Sequence, residues 1–246
     1  MYLFNRYMRL QRRILSIAIS SILVMGLASC GAASSTEQTD SVSDVQASGS
    51  LDTGLEQSNP VSESPKPSES GDFVVPAGYR LSQEKTNYVA IQMDSGEVIV
   101  IELKPDVAPI TVENFQNLVS QQFYDGLIFH RVIQNFMIQG GDPKGNGTGG
   151  APHKIKGEFA SNGVQNTLSH VRGVVSMARA ADMDSASSQF FICHADSTFL
   201  DGDYAAFGVV VDGMETVDTI AKTKTNAQDL PIQAQVMRHV FFVDKG

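Results

Sequence analysis

The chain has 246 residues, with 27 acidic against 18 basic side chains and a formal net charge of −9. An acidic chain without a basic stripe is unsuited to nucleic acid, and five scattered histidines with two cysteines lack metal-ligand spacing. By length alone it holds one or two domains.

The N-terminus carries Arg6, Arg9, Arg12 and Arg13, then an apolar run from Ile14 to Leu27. That run is short of the roughly 20 apolar residues that a membrane span needs. Leu27-Ala28-Ser29-Cys30 ends it with small residues before a cysteine, and Gly31 follows. The segment resembles a bacterial lipoprotein signal, which implies that Cys30 is acylated and becomes the mature N-terminus. An ordinary secretory signal or an uncleaved anchor are the alternatives. Each buried CH₂ of an acyl chain contributes about 0.8 kcal/mol, so more than one chain on a cysteine anchors stably. With Cys30 lipidated, Cys193 is the sole free thiol and no intrachain disulfide can form; on an apolar strand it reads as a small buried hydrophobe. From Ala32 to about Gly71 the chain is rich in Ser, Thr, Glu, Asp, Gln and Pro, a composition too polar to offset ordering entropy. The division is therefore 1–29 signal peptide, 30–75 lipidated Cys30 with a disordered acidic tether, and 76–246 folded domain.

From Tyr88 the pattern turns to period two. Val89–Met93 and Glu97–Leu103 flank Asp94-Ser95-Gly96, a hairpin signal. After Pro105 and Pro109, Thr111 is placed to cap a helix whose Val112, Phe115, Leu118 and Val119 recur at helical spacing. Gly126 ends the next turn, LIFHRV and FMIQG read as strands, and a Gly-rich loop spans Gly140 to Gly163. Strands follow at VVSMA, QFFICH and AAFGVVV, then a helix from about Met214 to Ala221, and a final strand QVMRHVFFV. Many strands with two helices predict a mainly β fold, a closed antiparallel barrel capped by those helices.

The stretch from Phe129 to Asp142, FHRVIQNFMIQGGD, is the most informative. If its two strands are joined through Gln134-Asn135, Arg131, Phe136 and Gln139 converge on one surface, an apolar cup with a fixed charge at its rim. Ser188 to Cys193, SQFFIC, repeats an amide two residues from an aromatic.

These segments resemble the cyclophilin family of peptidyl-prolyl cis-trans isomerases over about Tyr88 to Asp244. The resemblance is carried in order by TVENF, FYDGLIFHRVI, QGGD, NGTGG (Asn146 to Gly150), VSMA (Val175 to Ala178), SQFFIC and LDGDYAAFGVV (Leu200 to Val210). It implies an eight-stranded barrel and an isomerase acting on proline-containing unfolded or partly folded polypeptides. It implies Arg131, Phe136 and Gln139 as catalytic, and a proline pocket at Phe136, Met137, Phe191 and Leu200. Gln189 matches a residue that contacts peptide backbone, Ala178, Arg179 and Ala180 a rim that pairs with substrate, and Gly147 a point where the substrate passes close. Phe199 stands where the best-known eukaryotic members carry tryptophan, Tyr204 where they carry histidine, and Arg179 where asparagine is frequent. Both Phe199 and Tyr204 remain substrate-binding positions in this reading.

Gly145 to Gly150 fits a GxGxxG pattern, but it leads from a loop into Ala151-Pro152 rather than from strand into helix, so it lacks the dinucleotide context. His130 is expected on the opposite strand face as a satisfied structural histidine. The resulting expectation is a monomeric, lipid-anchored, extracytoplasmic isomerase that needs no cofactor and no metal. A peptide-binding chaperone with little turnover, or a solute-binding lipoprotein, are the competing readings.

Overall fold

The computed structural model describes residues 73–246. The expected signal, Cys30 and most of the tether lie outside the described residues. The strands are β1 (Tyr79–Leu81), β2 (Tyr88–Met93), β3 (Val98–Leu103), β4 (Arg131–Ile133), β5 (Met137–Gly140), β6 (Val174–Met177), β7 (Phe190–Cys193), β8 (Ala206–Asp212) and β9 (Met237–Lys245). Two helices, α1 (Pro109–Ser120) and α2 (Met214–Ala221), interrupt them.

The nine strands form one antiparallel sheet in the order β1-β9-β2-β3-β8-β6-β7-β5-β4. Its two flanks meet through the chain on either side of the named strands. Ile128 bridges Val236, the Phe129 amide donates to Gln235 O at 3.0 Å, and the Met237 amide donates to Leu127 O at 2.8 Å. Thus LIFHRV forms a strand of the main ladder only over Arg131–Ile133, while its first half closes the round against the entry to β9. Eight strands, β2 to β9, match the expectation, and β1 is an addition that period-two reading of three residues cannot detect.

Alternation along the strands sorts side chains into three clusters. Val89, Ile91, Ile99, Ile101, Val132, Ile138, Val175, Phe190, Ile192 and Phe207 point into the barrel, where Phe115 of α1 packs its ring 5.0 Å from Tyr124 and 5.1 Å from Phe207. On the outside of β2, β3 and β9, Ala90, Val100, Phe241 and Val243 are covered by Phe73, Val75, Tyr79 and Leu81. Phe73 and Val75 therefore belong to the packed unit, although their neighbourhood reads as tether. The third cluster lies outside β5 to β8 and is taken up below.

Thr111 does not cap α1. The helix starts at Pro109, whose missing N–H is no loss in a first turn, and Ala108 occupies the cap position with no side-chain bond. The orphan donors are met from far along the chain. Buried Glu158 accepts from the Ile110 amide at 3.1 Å, the Thr111 amide at 2.8 Å and the Thr111 hydroxyl at 2.7 Å. A carboxylate there also sits favourably at the positive end of the helix dipole. Glu158→Ala should lower unfolding stability by about 1–3 kcal/mol, because it strands buried donors. Urea unfolding followed by circular dichroism checks this, with a loss below about 0.5 kcal/mol contradicting it.

Candidate active site

The third cluster consists of buried Met137, Val174, Phe191, Cys193, Leu200 and Ala206, flanked by half-buried Ile133, Phe136, Leu168, Ala178, Tyr204 and Val209. Every apolar position assigned to the proline pocket is in it. The reason is the pleat. Ile138, Phe190 and Ile192 turn into the barrel, so their neighbours Met137, Phe191 and Cys193 must turn out. Phe199 stands at the rim, 50% exposed, with its ring 5.6 Å from that of Phe136. Tyr204 meets Phe191 edge-on at 6.0 Å. Cys193 lies in the cluster's floor, where burial pushes its thiol up to about 12, an unreactive setting.

Arg131 and Gln139 are direct partners across the β4–β5 ladder, so both project on the outward face beside Met137. The Arg131 side chain is about a third exposed, and its Nε lies 3.7 Å from Asp229 Oδ2, beyond hydrogen-bond range. Among the described residues its terminal nitrogens have no hydrogen-bond partner. Gln139 Nε2 donates to Gln189 Oε1 at 2.9 Å. Gln189 Nε2 in turn donates to Gly149 O at 2.7 Å and Gly147 O at 3.2 Å. This chain of amides leaves the Gln139 carbonyl oxygen as an acceptor beside Arg131.

The Gly-rich loop is built around Asp142. Its buried carboxylate accepts from the amides of Gly147 at 2.6 Å, Lys144 at 2.8 Å and Asn146 at 3.1 Å. Burial alone would raise its pKa, but the backbone donors of Lys144, Gly149, Asn146 and Gly147 outweigh that and hold it below the usual carboxylate range. The loop amides that a dinucleotide phosphate would need are thus already taken by an internal anion. Gly147 sits at φ +85, a conformation open to glycine without strain.

His130 departs from expectation. It is only 5% exposed, yet neither ring nitrogen has a partner of hydrogen-bonding geometry among the described residues. Its polar neighbours are the Gln189 side chain and the Ile128 backbone. It lies beneath the Gly147 loop rather than away from the site, since a Cβ on Gly147 would come 3.9 Å from its Nε2. Burial holds its pKa below the ordinary value despite Asp142, with Arg131 acting in the same direction as burial.

Residues 88–241 match the family described as cyclophilin type peptidyl-prolyl cis-trans isomerase/CLD. This chain belongs to that family. It is a peptidyl-prolyl cis-trans isomerase. A peptidyl-prolyl cis-trans isomerase of Acinetobacter baylyi is 48% identical over 147 residues, covering 55% of this chain and 74% of the relative. Peptidyl-prolyl cis-trans isomerase B of Bacillus subtilis is 45% identical over 131 residues, covering 53% and 87%. A crystal structure of a Cryptosporidium parvum cyclophilin, determined in the presence of the dipeptide Ala-Pro, superposes with a TM-score of 0.58. Its identity is 31%, covering 63% of this chain and 97% of that one.

Within this cyclophilin, two departures from the eukaryotic pattern touch one another. The Arg179 guanidinium lies 4.9 Å from the Tyr204 ring centre and 5.0 Å from that of Phe159. Its Nε donates to Asp203 O at 2.9 Å and its Nη1 to Ala180 O at 3.0 Å. The cation therefore holds Tyr204 against Phe191 as well as charging the rim. Ala178, inside the apolar cluster, donates its amide to Gln189 O at 2.9 Å, and Ala180 is exposed beyond it.

Sequence reading missed a buried relay behind Phe191. Ser176 Oγ lies 2.9 Å from His170 Nε2, and His170 Nδ1 lies 2.8 Å from Asp201 Oδ1. The order of groups resembles a hydrolytic triad, but Ser176 is fully buried and cannot reach a substrate. The histidine ring instead stacks on Phe191 at 6.0 Å and 18°, stiffening the pocket floor. Nothing in the spacing of these three residues announces the contact.

Asp142→Asn tests the loop's construction. An amide has one accepting oxygen where the carboxylate uses both, so some of the Lys144, Asn146 and Gly147 donors lose their partner. Amide hydrogen exchange at these positions should accelerate about tenfold or more, the equivalent of about 1–3 kcal/mol of lost protection. Unchanged exchange would show that the loop does not depend on the carboxylate.

Proposed function

We propose that Arg131 stabilises the twisted X-Pro bond over the pocket formed by Phe136, Met137, Phe191, Leu200, Phe199 and Tyr204. We also propose that the enzyme serves exported proteins outside the cytoplasm, tethered by lipid on Cys30. The observation that carries the first reading is the pairing of Arg131 with Gln139 on the outward face of β4–β5, beside the apolar cluster of Met137, Phe191 and Leu200.

Rotation about an X-Pro bond must break amide resonance, a barrier of about 18–20 kcal/mol, whereas the ground-state isomers differ by only about 0.5–1 kcal/mol. No bond is broken, so the chemistry requires neither nucleophile nor metal. It requires groups that bind the twisted bond better than the planar one. When the bond twists, the prolyl nitrogen regains a lone pair and becomes an acceptor. Arg131 presents terminal N–H donors without partners among the described residues, and its charge is permanent. Asp229, near Nε, leaves that outward end free. The apolar cluster holds the proline ring, while Gln139, Gln189, Gly147 and the Ala178–Ala180 rim grip the peptide backbone. Phe136 serves as the wall between pocket and donor.

The substrates in this reading are proline-containing polypeptides that are unfolded or partly folded. The relative studied with Ala-Pro supports that class. The location rests on Arg6 to Cys30 alone. Among the described residues no helix is long and apolar enough to cross a membrane.

Arg131→Ala should lower kcat/KM in a protease-coupled X-Pro peptide assay by about two to three powers of ten, equivalent to about 3–4 kcal/mol of transition-state stabilisation. Peptide affinity measured by titration should fall far less. Near-normal turnover in a folded mutant would remove Arg131 from the mechanism, and a wild type that binds peptide without turnover would favour the chaperone reading.

Cys30→Ser should move the protein from the membrane fraction to the soluble or unprocessed pool with isomerase activity unchanged. Wild-type protein partitioning into the aqueous phase of a detergent extraction would sink the lipid anchor.

A further inference from the structure

The turn that carries Phe136 is held at two points by His194, which immediately follows β7 and is 8% exposed, with the Ala195 amide at a longer 3.4 Å from Phe136 O. The His194 amide donates to Phe136 O at 2.9 Å. Its ring Nδ1 accepts from the Asn135 amide at 3.0 Å. Asn135 itself is held at φ +62, a left-handed conformation tolerated by asparagine but needing support from its surroundings. The other ring nitrogen, Nε2, lies 3.2 Å from Asp218 Oδ1 on α2. Arg172 fixes that end, with Nη1 2.7 Å from Asp218 Oδ1 and donating to His194 O at 2.7 Å.

The tautomer follows from chemistry. A backbone N–H can only donate, so Nδ1 carries a lone pair and the single ring proton sits on Nε2, facing Asp218. Protonation would put a second N–H on Nδ1, directly against the Asn135 amide. Two donors would then face each other, and the turn would lose its acceptor. Phe136, the next residue, stacks on Phe199 and belongs to the pocket cluster, while Arg131 and Gln139 close the other end of the same hairpin.

We propose that His194 is a positioning residue for the isomerase site, latching the Asn135–Phe136 turn when neutral and releasing it when protonated. The proposal rests on Phe136 being a wall of the proline pocket. The charged groups facing the ring are Asp218 and Lys222 from α2 and Arg172 from the turn before β6, with Asp196 beyond it bonded to the Arg172 amide at 2.9 Å. Burial holds the His194 pKa below its ordinary value. Asp218 opposes this, and Arg172 and Lys222 reinforce it. The sign follows. The latch is intact above the ordinary histidine value of about 6.5. As pH falls from there the unfolded chain takes up a proton first, so stability declines. Below the depressed folded value the native turn itself is released.

The test compares wild type, His194→Asn and His194→Leu in the X-Pro assay, between about pH 8 and pH 5.5, on a peptide without titratable side chains. Asparagine carries an accepting oxygen close to the position of Nδ1 and does not titrate in this range. Wild type should lose kcat/KM at the acidic end. His194→Asn should match it near pH 8 and stay flat. His194→Leu should be about tenfold weaker throughout, since it offers the Asn135 donor nothing. In parallel, the Asn135 amide resonance should titrate in wild type and not in His194→Asn. His130 and His170 are also buried and remain in all three proteins, so a limb due to either would persist in His194→Asn. The same acidic limb in wild type and His194→Asn overturns the proposal. So does an Asn135 resonance that titrates while kcat/KM stays constant. The activity of Arg131→Ala near pH 8 tests the isomerase site separately, so the two readings fail independently.

Discussion

The pleat of the strands from β4 to β8 is the constraint on which the site depends. Each strand must place one set of side chains in the barrel and the alternate set outside, and here both sets are apolar. Ile138 and Met137, or Phe190 and Phe191, are adjacent in sequence and belong to different clusters. The outer set would be a liability on an ordinary barrel, an exposed apolar patch that invites association. In the function proposed above it is the surface that receives the proline ring. The β4–β5 register then fixes the chemistry, because Arg131 opposite Gln139 leaves Val132 opposite Ile138 inside. A slip of one residue would bury the guanidinium and expose the valine.

Where strands end, polar side chains take over the ordering of the backbone. Glu158 supplies the start of α1, Asp142 gathers the Gly-rich loop, and Asp201 with His170 ties the Phe199–Leu200 turn to the back of Phe191. Each accepts from donors that would otherwise be buried and unpaired, which is costly. Long loops without regular structure are thereby made as definite as the strands, and the pocket rim can be assembled from them.

Much of this was legible in the sequence. Period-two runs located β2, β3, β8 and β9, and the helical spacing of Val112, Phe115, Leu118 and Val119 located α1. FHRVIQNFMIQGGD brought Arg131, Phe136 and Gln139 together because a short turn between short strands admits few registers, although Phe136 lies in that turn, which spans Gln134 to Phe136, and not on the strand. What stayed hidden was long-range and polar. Thr111 has the chemistry of a cap, yet Glu158 provides it from 47 positions away. His130 read as satisfied because solitary histidines usually are, yet beneath the Gly147 loop neither nitrogen meets a partner of hydrogen-bonding geometry among the described residues. β1 is three residues long, too short for a pattern. The pairing of Arg179 with Tyr204 joins two positions that seem unrelated until the rim folds back.

The position of β9 between β1 and β2 has a temporal consequence. Residues Met237–Lys245 pair with β2 along one side and with β1 along the other, and Gly246 still donates to Gly78 O at 2.7 Å. When the chain is made, β1 and β2 therefore wait for β9. Until then β2 is paired on its β3 side alone, and the outer face of Ala90 lacks Phe241 and Val243 beside it. Such non-local closure is slow. A peptidyl-prolyl isomerase thus spends its own synthesis with an open sheet edge, and β1 and β9 lock into place together.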